Sequence, residues 1–179
     1  MPESCTRWIV DPARSVVAFS VKHLMISKVH GRFKKFSGSL AITGAAPGSA
    51  QIDGEVEIAS IDTRDEKRDE YLKTSGFFDL GRFPKMIFRS KRFTLKPRDE
   101  CEISGDLALH GVEREVLLQG KGFGDLAALP ATLKVSLHTR IHRKDFGLEW
   151  NAAIEAGGVM VGDEVSIDLE LLLVQAATS

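Results

Sequence analysis

Two histidines four residues apart, His138 and His142, have a spacing that could hold a metal ion. On a helix that interval puts both imidazoles on one face. The flanking residues argue for a strand instead, because Leu133, Val135, Leu137, Thr139 and Ile141 alternate with polar side chains. At about 3.4 Å per residue the pair then stands about 14 Å apart, too far to share one ion. His30 keeps the outward parity of Arg32 and Lys34, and His110 sits in a turn beside Gly111. His23 is different, since it continues the inward row of Val17, Phe19 and Val21. It reads either as a hydrogen-bonded histidine near a barrel rim or as the contact for a ligand's polar head.

The other reactive residue types form no catalytic set. Cys5 and Cys101 lie far apart with no Cys-x-x-Cys, so a disulfide framework is not expected. No Gly-x-Ser-x-Gly, no His-Glu-x-x-His and no phosphate-cradling glycine loop occurs. Gly120-x-Gly122-x-Gly124 ends a strand with no helix behind it, which discounts a dinucleotide site. Acidic residues on the strands alternate outward, where solvated carboxylates belong. A net charge of -1 gives no electrostatic case for nucleic acid. Ten Phe against one Tyr and two Trp favour a dry interior over stacking platforms. No cofactor, no metal and no enzymatic activity are expected.

Strands must position these residues. Val165, Ile167, Leu169, Leu171 and Leu173 alternate with Glu164, Ser166, Asp168, Glu170 and Leu172, giving a strand with one apolar face and a mostly polar one. The same alternation runs through Val17 to His23, Ile52 to Ile58, Met86 to Ser90 and Ile103 to Leu109. Between Val29 and Ile42 the phase slips: Gly31 and Phe33 share one parity, Phe36, Gly38, Leu40 and Ile42 the other. One long strand with a bulge near Lys34-Lys35 would restore a single inward face. A helix is expected over Asp62 to Lys73, capped by Asp62 or Thr63, with its charge run as a solvated face. Short antiparallel strands with one inserted helix describe an all-β barrel or sandwich. With no linker or repeat, residues 1–179 read as one domain. No run approaches the ~20 apolar residues of a membrane helix. The first residues lack a signal-peptide core, which makes the cytoplasm the expected location.

Several stretches together carry a family resemblance: Phe19-x-Val21-x-His23, Val29-x-Gly31-x-Phe33-x-x-Phe36-x-Gly38, Arg68-Asp-Glu-Tyr-Leu72 and Phe77-Phe78-Asp79. Phe83-Pro84-x-x-x-Phe88-x-Ser90, Gly105-x-Leu107-x-Leu109-x-Gly111-Val112, Arg143-Lys-Asp-Phe-Gly147 and Val161-Gly-Asp-Glu-Val165 follow in order. The set resembles the YceI-like proteins, described as polyisoprenoid-binding and lipocalin-like, over residues 8 to 174. The resemblance implies an extended antiparallel barrel of about eight strands, commonly a homodimer, with an apolar pore for a long isoprenoid. Tyr71 departs from the family, which often has His there.

Expected pore-lining or gating residues are Phe19, Val21, His23, Phe33, Phe36, Phe88, Leu107, Phe146, Trp150 and Met160. Inward parity nominates the strand residues, and aromatic or adaptable side chains before the closing strand nominate the last three. Packed core is the competing reading for each. Three functions follow: a carrier of a polyprenyl phosphate or quinone-type lipid, a lipid-modifying enzyme using His23, or a stress-related interaction protein with a filled barrel.

Overall fold

Alternating sequence becomes strand almost everywhere in the computed structural model, which describes residues 3–23, 27–44, 49–149 and 161–177. The strands are β1 Cys5–Val10, β2 Val16–His23, β3 Ser27–Phe33, β4 Phe36–Thr43, β5 Gln51–Glu57 and β6 Ile61–Asp62. After helix α1, Glu66–Leu72, come β7 Lys85–Leu95, β8 Glu100–Leu109, β9 Val112–Lys121, β10 Thr132–His142 and β11 Val161–Gln175. Every pairing is antiparallel. The order β1-β4-β5-β7-β8-β9-β10-β11 closes on itself through β1–β11, so eight strands form a barrel. Strands β2, β3 and β6 extend it, with β2 paired to β11. Closure removes the exposed edges that an open sheet would present.

The length of β11 explains how barrel and extension join. Its Leu173–Gln175 stretch pairs with β1 and its Val165–Glu170 stretch with β2, so β1 and β2 lie end to end along it. Strands β3 and β4 lie end to end along them in turn. The phase slip near Lys34-Lys35 is therefore real, but it is a break between two strands and not a bulge in one. Lys34 donates its N–H to the Ser60 carbonyl at 3.1 Å, and the Lys35 carbonyl accepts from Glu57 at 3.0 Å. These cross-links satisfy the backbone where the ladder stops. Phe33 and Leu40, on opposite parities, both end up buried.

The helix begins later than its charge pattern suggests. Asp65 is the N-cap, accepting from the Arg68 N–H at 3.0 Å, whereas Asp62 belongs to β6 and accepts from the Arg64 N–H at 2.9 Å. Arg64 adopts a positive φ of 64°, which turns the chain between strand and helix and rules out a helical start at Asp62. Between β8 and β9 the two-residue turn His110-Gly111 has φ of 55° and 72°, the left-handed pair that suits the twist of a hairpin.

Two apolar clusters are stacked along the barrel. One holds Trp8, Leu40, Ile103, Phe123, Leu126 and Val135, all almost fully buried. The other gathers Phe33, Ile58, Leu72, Phe78, Leu109 and Phe146 beneath α1. Phe36, Phe88 and Leu169 touch both. Cys5 and Cys101 are free thiols, one exposed and one buried.

Candidate ligand-binding cavity

The cluster beneath α1 is not filled. A cavity of about 530 Å³ opens there, walled mainly by apolar residues of β2, β3, β7, β10 and β11. Inward parity on β2 brings Val17, Phe19 and Val21 to its wall. The tip of the Phe19 ring sits over Gly31 on the neighbouring strand, where a Cβ would come within 2.2 Å of it. Its ring also meets Phe33 at 5.4 Å between centroids. Glycine at position 31 is thus the space in which an aromatic wall residue rests.

A second cavity of about 130 Å³ lies next to the first, further along the barrel. Phe36, Phe88 and Leu107 line it, with Phe88 seated over Gly105. Beyond it the interior is packed: Phe93 meets Phe123 edge to face at 4.9 Å, and the Trp8 indole donates to the Pro130 carbonyl at 2.7 Å. The tryptophan thereby satisfies its polar edge at a fully buried site.

Polar groups also reach the larger cavity, four of them from α1 and the segment before it. Thr63, Asp65, Lys67, Arg68 and Arg143 all contribute to its lining. Arg68 is anchored through Nε to Thr63 Oγ1 and through a terminal nitrogen to the Thr63 carbonyl, both at 2.8 Å. Thr63 Oγ1 donates in turn to Asp69 at 2.5 Å. Arg143 is only 4% exposed, and its guanidinium donates to the carbonyls of Gly162 at 3.0 Å and Leu148 at 2.8 Å. The Tyr71 ring lines the same wall, and its buried hydroxyl has no hydrogen-bond partner.

The histidines that the sequence set aside make local pairs. His138 Nδ1 lies 2.8 Å from Asp168 and His142 Nδ1 lies 3.2 Å from Asp163, as separate surface pairs. His110 Nδ1 lies 3.0 Å from the Phe146 carbonyl. Among the described residues no group of three His, Cys, Asp or Glu side chains could hold a metal ion.

The family model of the YceI-like domain matches residues 8–173. The chain belongs to the YceI-like family. A UPF0312 protein of Staphylococcus aureus strain N315 is 32% identical over 169 residues, covering 91% of this chain and 94% of that one. Among solved structures, Burkholderia cenocepacia BcnA superposes with a TM-score of 0.79 at 24% identity, covering 94% of this chain and 99% of that one. A polyisoprenoid binding domain from Saccharophagus degradans, implicated in plant cell wall breakdown, superposes with a TM-score of 0.69 at 16% identity, covering 97% and 99%. At these identities the two superpositions speak for the fold.

In this YceI-like barrel the residues nominated from sequence separate into groups. Phe19, Val21 and Phe33 line the larger cavity, and Phe36, Phe88 and Leu107 the smaller one. Phe146 lines neither: it is 2% exposed and packs in the cluster beneath α1, held by the 3-10 turn Arg143–Phe146. The backbone of His23 ends β2, while its side chain, Trp150 and Met160 lie outside the described residues. Sequence reasoning missed the polar lining of the cavity. The helix charge run is solvated at Glu66 and Glu70, but Lys67 and Arg68 reach the cavity and Asp69 turns to Thr63. Tyr71 and Leu72 held the available signal, because apolar residues three and four positions after Arg68 place it on the packed side of the helix.

Proposed function

We propose that this protein binds and carries a long isoprenoid lipid without converting it, the tail inside the barrel and the head toward α1. The observation that carries the reading is the apolar cavity of about 530 Å³ that Thr63, Asp65, Lys67 and Arg68 line from α1 and the segment leading into it. Burial of a hydrocarbon tail there is favourable at ~25 cal/mol per Å² and demands shape more than polar recognition. The polyisoprenoid binding domain named above shares this fold, which adds support by analogy. Lys67 and Arg68 outweigh Asp65 among the lining residues at α1, which favours a phosphate-bearing head over a neutral quinone ring.

Native mass spectrometry of gently purified protein, followed by organic extraction, tests the proposal. The expected result is an added mass that proves to be an intact polyprenyl lipid. Val21→Trp, which projects an indole into the larger cavity, is expected to abolish that mass while leaving the circular dichroism spectrum unchanged. Undiminished lipid in a folded Val21→Trp protein, or a bare wild type that ignores added polyprenyl phosphate, would overturn the reading.

A further inference from the structure

The two cavities adjoin. Val17, Met86 and Ile167 are the residues that line both. Val17 and Ile167 are β-branched and stiff at χ1, whereas Met86 is unbranched and can swing. Gly54 leaves space open beside the smaller cavity. Gly38 and Gly54 are direct partners across β4 and β5, and Gly54 occupies the inward position between Ile52 and Val56. A Cβ at Gly54 would meet nothing closer than the Ser37 carbonyl oxygen at 3.9 Å, so a side chain there would extend into open space. An inward glycine weakens a strand, and a void deprives its lining of dispersion contacts. Valine or leucine at this position would remove both losses. A chain that keeps glycine there keeps room for an occupant.

We propose that the smaller cavity is the terminal subsite for the far end of the lipid tail, entered past Met86, and that Gly54 and Met86 set the longest tail the barrel holds. The inference rests on the lipid-carrier reading above. The subsite takes branched hydrocarbon, because Phe36, Phe88, Leu107 and Leu169 surround it. Filling it should shorten the preferred tail, and widening its entrance should lengthen it.

The test uses the full chain and an equimolar series of polyprenyl phosphates of graded length, with retained length read by native mass spectrometry. Gly54→Leu is expected to shift retention toward shorter tails and to reduce the longest retained species about tenfold or more. Gly54→Ala, a smaller addition that tests the same point if leucine disturbs folding, is expected to shift it in the same direction by less. Met86→Ala is expected to raise the share of the longest tails. Wild-type retention with an unmoved distribution in both Gly54 variants would overturn the subsite while sparing the carrier reading. An unmoved distribution in Met86→Ala alone would remove Met86 from the length limit. A wild type that retains no member of the series would overturn both proposals together.

Discussion

At the scale of single residues, Cys101 shows how position in the barrel controls reactivity. It sits on β8, is 2% exposed, and burial with the nearby Asp99 carboxylate pushes its thiol up to about 11. Cys5, at the start of β1, is exposed. A thiol-specific reagent at pH 8 is therefore expected to modify one thiol per native chain, Cys5, and the second only after unfolding. Equal rates for both would show that this end of the barrel is open. The raised pKa also has a stability consequence of fixed sign. The folded thiol keeps its proton longer than the unfolded one, so Cys101 contributes fully below the ordinary value of 9.0 and loses its contribution as pH rises toward 11. Cys101→Ala should flatten that alkaline slope.

At the scale of elements, two strand glycines of similar sequence context have opposite consequences. Gly120 lies where β9 crosses β10, paired with Leu137, and a Cβ there would come within 1.8 Å of the Ser136 carbonyl oxygen. That neighbour is backbone and cannot swing aside. Gly120→Ala is expected to destabilise the protein by about 1–3 kcal/mol in urea unfolding. Gly54→Ala, which enters open space, is expected to be neutral or stabilising by about 0.4–1 kcal/mol. An equal response of the two variants would contradict the register of β9 on β10. The Gly120-x-Gly122 pattern thus has a packing origin, since Gly122 makes an equally close approach to Lys134 at a φ of 119°.

For the molecule as a whole, a packed end and an open end divide the labour. Ile103 is fully buried in the cluster around Trp8 and lines neither cavity. Ile103→Ala is expected to cost about 2–5 kcal/mol in denaturant unfolding, yet to leave lipid uptake in the folded protein unchanged. A variant that loses uptake while still folded would mean that the two ends are coupled. The packed end is where stability resides, which leaves the other end free to hold space that a core would otherwise fill. Among the described residues no helix is long and apolar enough to cross a membrane.

Much of this was legible in the chain, and the reason is periodicity. Side chains on a strand alternate faces, so Cys101 to Leu109 and Leu133 to Ile141 declare their inward residues, and the inversion between Phe33 and Phe36 declares an irregularity that parity alone assigns to a bulge and the structure resolves as a break. Parity says which face a residue takes, and so it nominated Phe19, Val21, Phe33, Phe36, Phe88 and Leu107. It does not say whether the space before that face is filled. Six inward side chains, four of them phenylalanines, could have closed the barrel or walled a void. The outcome was decided by Phe19 and Phe88 lying over Gly31 and Gly105, and by Gly54 facing open space. Nor could parity bring Arg143 from the end of β10 to the same cavity as Lys67 and Arg68 on α1. That convergence depends on closure of the sheet, a long-range event that no local pattern encodes.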